Sequence, residues 1–175
     1  MKSLLALTVA VLLAGCATFT PKAAVHLTTQ LAVAPVLLDQ AAAIVRPKAA
    51  TWPEADKLAM QQDMQSLTIG VKQIASIGVN PAGSALNALG RFQSARPAYL
   101  DAYKLVQKHW GDFDKSQQAT LLDTDKRIRA LDASLNAALS STGLGLNTSD
   151  VSNLASTANA MTQLGLAIAN AQPSK

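Results

Sequence analysis

Apolar residues recur at alternating steps of three and four along most of this chain, and no other feature limits its fold so sharply. Val151, Leu154, Ala158, Met161, Gly165 and Ile168 are spaced three, four, three, four and three apart. Leu27, Leu31, Ala34, Leu38, Ala41 and Val45 form a similar series, as do Met60, Met64, Leu67, Val71 and Ile74. This spacing places each set on one stripe of an α-helix, whereas a half-buried strand needs strict alternation. Composition points the same way. The chain is 49% hydrophobic but only 4% aromatic, and Ala and Leu supply most of the apolar count. Those two residues lead the helix-propensity ranking. The expected fold is all-α, an antiparallel bundle of five to six helices joined by short loops.

Local signals divide the stripes into elements. The first helix is expected over 23–45, with Pro35 kinking or breaking it and Arg46-Pro47 ending it. Thr51-Trp52-Pro53-Glu54 matches a capping box, in which the Thr51 hydroxyl accepts from the Glu54 amide and Glu54 reaches back. The helix it opens carries Met60 and Met64 as core filling and stops near Gly78. Asn80-Pro81 restarts the helical pattern, and Arg96-Pro97 bends or divides it. Beyond Pro97, Leu100, Tyr103, Val106 and Trp110 share a face, and Gly111 closes the piece. Asp114 with Gln117 is a second capping box, opening a helix from Lys115 to about Ser141 with Leu121, Ile128, Leu131, Leu135 and Ala138 inward. Asp123 with Arg127 and Asp125 with Arg129 form i,i+4 pairs on its charged face. The last helix follows Asn147-Thr148, with Asp150 in its first turn, and Ala158 and Gly165 let a neighbouring helix come close.

The amino end has a different character. Lys2 precedes an apolar run from Leu4 to Leu13, and Leu13-Ala14-Gly15-Cys16 follows. The run is too short to span a bilayer, which takes roughly 20 apolar residues, and it has the layout of a signal peptide. These four residues resemble the lipobox of bacterial lipoproteins. The resemblance implies cleavage between Gly15 and Cys16 and a diacylglycerol thioether on the Cys16 sulfur. It often brings a third acyl chain, such as palmitate, on the amine. At about 0.8 kcal/mol per buried methylene, two or three chains anchor a protein stably. The implied organisation is a signal peptide over 1–15, lipidated Cys16 and a tether over 16–22, one helical-bundle domain over 23–171 and a frayed tail over 172–175. Gram-negative lipoproteins with Asp after the lipidated Cys tend to stay at the inner membrane. Ala17 and Thr18 stand here instead, which implies the periplasmic face of the outer membrane. Cys16 is the only cysteine, so the domain has no disulfide and no cysteine metal ligand.

A search for chemistry finds no catalytic signature. His26 and His109 lie far apart and outside any metal-ligand spacing, and neither a nucleophile elbow nor a phosphate loop occurs. Asp112 with Asp114 reads as a turn and cap, and Asp123 with Asp125 as a helix face matched by arginines. The formal charge of +4 is small and dispersed, and Lys126-Arg127-Arg129 lacks interleaved aromatics, so no nucleic-acid partner is expected. No metal or cofactor is expected, and no stretch after Cys16 reads as a membrane span. Trp52, Tyr99, Tyr103 and Trp110 are the large groups able to contact a partner or ligand.

The expected function is that of a membrane-anchored periplasmic lipoprotein, not an enzyme, that binds an envelope protein or serves as a structural envelope component. One alternative is a small hydrophobic-ligand binder, its cavity opening between the kinked first helix and the helix Pro97–Trp110. Another is a phage- or prophage-encoded envelope lipoprotein that masks a receptor or assists lysis. A cell-wall enzyme would need a buried carboxylate with a perturbed pKa.

Overall fold

A computed structural model describes residues 21–77, 85–140 and 146–172. Among these the chain forms α1 (Pro21–Ala49), α2 (Glu54–Ile77), α3 (Ala85–Lys108), a 3-10 turn (Trp110–Asp112), α4 (Lys115–Ser140) and α5 (Thr148–Ala169), with no strand. The signal-peptide segment with Gly15 and Cys16, the boundary at Gly78 and Asn80-Pro81, and residues 173–175 lie outside the described residues.

The all-α expectation holds, as five helices. They close into a ring in the order α1, α5, α2, α3, α4 and back to α1. α1, α3 and α5 run one way along the bundle and α2 and α4 the other. A closed ring with an odd number of alternating helices must contain one parallel pair, and here it is α1 with α5. The last helix is thus wedged between the first two, and its seam with α2 is the most extensive in the molecule. Gly165 makes this possible. A Cβ built there would sit 2.9 Å from the Cβ of Met64, so the close approach expected from the α5 stripe is realised against α2. Leu31, Ile74, Leu154 and Ile168 are completely enclosed, and Met60 and Met64 are buried as core filling.

Three boundary expectations need correction. α1 runs unbroken through Pro35 and ends at Ala49, past Arg46-Pro47. An internal proline removes one hydrogen bond, and the buried Leu31, Ala34, Leu37 and Leu38 around Pro35 hold the helix in register. α3 likewise passes through Pro97 as one helix. Thr51 does not cap α2. Its hydroxyl donates back to the Lys48 carbonyl at 2.9 Å, while Glu54 pairs with Lys57 at 2.5 Å and the Pro53 carbonyl accepts from the amides of Asp56 and Lys57.

The capping box expected at Asp114 forms, and α5 has one that was not read from sequence. Asp114 and Gln117 exchange backbone-to-side-chain hydrogen bonds of 3.1 and 2.8 Å, and Asn147 with Asp150 makes a full capping box on α5.

α1 also starts earlier than expected, at Pro21, inside the segment read as tether. Its stretch Ala24–Ala49 is long and apolar enough, by length and composition, to cross a membrane, with a mean hydropathy of 1.3. That corrects the expectation that no stretch after Cys16 would reach spanning length. Alanine and leucine raise the hydropathy, and in the bundle its inner stripe packs against α4 and α5.

Charge is unevenly distributed. α5 carries Asp150 and no other Asp, Glu, Lys or Arg, and α1 has none from Ala23 to Leu38. The outward positions Val25, Thr29, Ala32 and Val36 on α1, and Ala155, Asn159 and Leu166 on α5, therefore form an uncharged side. The ionised groups gather on α2, α3, α4 and the second half of α1, which carries Asp39, Arg46 and Lys48.

Candidate functional site

The ring is loosest at the seam between α3 and α4. The cause is local. At this level α3 turns Ala95 inward and, a few turns on, Ala102, both buried, and an alanine occupies a stripe position without filling the space a leucine would. What remains is a cavity of about 340 Å³, walled by Leu31, Leu67, Val71, Leu131, Leu154 and Met161 among others. A smaller cavity of about 80 Å³ continues toward the far end of the bundle and shares Leu67, Tyr99, Ile128 and Met161 with the first. From Leu31 to Val45 on α1 the two linings span fourteen helical rises, ~21 Å of helix. The two lie end to end along the bundle axis, each with a mostly apolar wall. For comparison, a dry apolar cavity of about 150 Å³ is enough to hold benzene.

Polar side chains cross the seam at the cavity mouth. Gln93 Nε2 donates to Asn136 Oδ1 at 3.3 Å. One turn on, Arg96 donates to Asp132 at 2.6 Å, and the Tyr99 hydroxyl donates to Asp125 at 2.6 Å. Arg129 Nε donates to both oxygens of Asp125 at 3.0 and 2.9 Å, and its guanidinium stands 5.8 and 5.5 Å from the ring centroids of Tyr99 and Tyr103. Burial, and then the bond to Asp125, pushes the Tyr99 hydroxyl far above its usual range, so Tyr99 stays a neutral donor. Arg96 and Asp132 are 48% and 26% exposed. Such pairs contribute about 0–1 kcal/mol, so the rung that closes the mouth opens at little cost.

The opposite end of the bundle is sealed. The Trp52 ring stacks on His109 at 4.2 Å between centroids, and its Nε1 donates to Asp112 at 3.2 Å. Asp56, buried in the first turn of α2, accepts from Lys108 at 2.8 and 2.7 Å and lies 2.8 Å from His109 Nε2. Those contacts, Lys108 before His109, hold the Asp56 carboxyl below its ordinary value of 3.8. Buried Lys57 donates to the Ala171 carbonyl at 3.3 Å and fastens the end of α5 to α2.

The four expected contact residues therefore separate. Tyr99 lines both cavities and Tyr103 the smaller one, whereas Trp52 and Trp110 belong to the sealed end. The cavity touches Leu31 of α1 and Pro97 of α3. It opens between α3 and α4, however, because α1 and α3 are not adjacent in the ring. His26 is exposed beside a groove between α1 and α4. The Asp56 and His109 cluster and the Arg96 rung were missed from sequence, since their partners stand 53 and 36 residues apart with no local motif linking them. Among the described residues no group of three potential ligands could hold a metal ion. The buried carboxylate Asp56 is held ionised, and burial followed by Asp101 raises the pKa of Asp63.

Comparison with family models, curated proteins and solved structures finds no match for this chain.

Proposed function

We propose that the protein is a lipid-anchored envelope protein, held by acylated Cys16 at the periplasmic face of the outer membrane, that takes up a hydrophobic small molecule and catalyses nothing itself. The observation that carries this reading is the apolar cavity at the α3–α4 seam. Its volume lies within the range of about 300–1,000 Å³ common to small-molecule sites, and it combines an apolar wall with a few polar groups at the mouth. The lipobox supports the location, as does an α1 that begins five residues after Cys16.

Two measurements test it. Mass spectrometry of the mature amino terminus is expected to find acyl chains on Cys16, and the mature chain carrying Cys16→Ser, made without residues 1–15, should leave the membrane fraction. Titration of that soluble mature variant with the neutral fluorophore N-phenyl-1-naphthylamine is expected to saturate at one per chain. Val71→Phe, which fills the cavity, should weaken uptake about tenfold while keeping a cooperative melt. No saturable uptake by the unfilled protein would end the proposal.

One further observation favours a second reading, docking of an envelope protein on the uncharged side formed by α1 and α5. Interface cores are depleted of charge. A photo-crosslinker at Ala155 should capture a partner that one at exposed Lys126 does not, and equal or absent capture at both sites removes this reading.

A further inference from the structure

The cavity has a shape, a charge and a position, and together they narrow what it holds. Its shape is that of a chain. The linings of the larger cavity and of the smaller one beyond it together follow the bundle axis for ~21 Å, and the larger volume, at the low end of small-molecule sites, suits one flexible hydrocarbon chain and not two. Its charged groups are two arginines, each held by one carboxylate: Arg96 by Asp132 and Arg129 by Asp125, which lines the smaller cavity. A guanidinium has five N–H donors. Asp132 engages one terminal nitrogen of Arg96, and both bonds from Arg129 to Asp125 are made by Nε, so neither carboxylate uses up its arginine. The position is toward the amino end of α1, since Leu31 lies ten residues, ~15 Å, into a helix that starts at Pro21.

We propose that this cavity binds an amphiphile with a single hydrocarbon chain and an anionic head, the chain lying along the bundle axis and the head held by Arg96 and Arg129. This rests on the apolar-ligand reading above. Binding swings Arg96 from Asp132 to the head group, exchanging one exposed ion pair for another, and the rung between Gln93 and Asn136 re-forms over the chain. Arg129 stays braced by Asp125 and the two tyrosine rings, so it needs no rearrangement to meet the head. With Cys16 acylated, the cavity end of the bundle faces the leaflet. Two sources of such a molecule lie there, free fatty acids and lysophospholipids.

The test is displacement of N-phenyl-1-naphthylamine from the soluble mature Cys16→Ser protein by four compounds with the same sixteen-carbon chain. These are palmitate, 1-palmitoyl-lysophosphatidylglycerol, hexadecanol and hexadecylamine. The two anions are expected to displace the fluorophore at concentrations about tenfold or more below those of the alcohol and the amine. Whichever anion is the stronger identifies the source. Arg96→Gln with Arg129→Gln should bring anion and alcohol to within about twofold and leave the alcohol unchanged. Asp132→Asn, which removes the repelling carboxylate, should widen the gap. If all four compounds displace equally, or if the preference survives loss of both arginines, the head-group assignment is wrong while uptake of the fluorophore still stands. If the fluorophore itself is not bound, the cavity reading fails first.

Discussion

Two glycines on helices show how one hydrogen can decide the sign of a substitution. Gly90 on α3 has nothing within 4 Å of a built Cβ, whereas Gly165 on α5 has Met64 at 2.9 Å. Alanine exceeds glycine in helix propensity by about 1 kcal/mol, and overpacking a tight seam costs about 1–3 kcal/mol. Gly90→Ala should therefore raise stability by about 0.5–1 kcal/mol, and Gly165→Ala should lower it by about 1–2 kcal/mol, both read from chemical denaturation. Asp56 makes a pH-dependent case. Because its folded pKa lies below the unfolded value of 3.8, its contribution is complete above that value and disappears as pH falls through the folded one. Asp56→Asn is expected to lose about 1–3 kcal/mol at neutral pH. The gap between variant and wild type should narrow in denaturation curves taken progressively below pH 3.8, and a gap that stays constant with pH would show that the carboxylate charge plays no part.

At the scale of elements, what the sequence made legible was whatever is encoded within a turn or two. The α5 stripe, the cap at Asp114 and the pairs Asp123–Arg127 and Asp125–Arg129 all join residues three or four apart, and all form. Prolines misled because their effect is local while the decision is not. Pro35 lacks a donor for the Leu31 carbonyl, but the surrounding leucines have a core to fill. Pro35→Ala restores that donor and should raise the thermal midpoint, by an amount corresponding to about 1–3 kcal/mol; an unchanged or lower midpoint would mean that the bundle is shaped around the proline. The cavity was legible only as a possibility. Periodicity counts Ala95 and Ala102 as apolar and says nothing of whether the facing side chains reach them, so a stripe of alanines reads the same whether it is packed or hollow.

At the scale of the molecule, the ring order could not be read from the stripes, because each stripe says which face is buried and not against which helix. The order has a measurable effect. A chain ending at Leu146 keeps four helices but leaves the apolar faces of α1 and α2 without the element between them. It is expected to lose its cooperative melt and to bind hydrophobic dyes nonspecifically, by calorimetry and fluorescence; a sharp melt near the wild-type midpoint would show that four helices suffice. Synthesis runs from the amino end, yet α1 and α2 meet their shared neighbour only when the final stretch of chain arrives. Folding here cannot follow the ribosome helix by helix. The two earliest segments must wait, half-covered, for the latest one, which makes this bundle slower to assemble than a chain of simple hairpins and gives chaperones a defined interval in which they are needed.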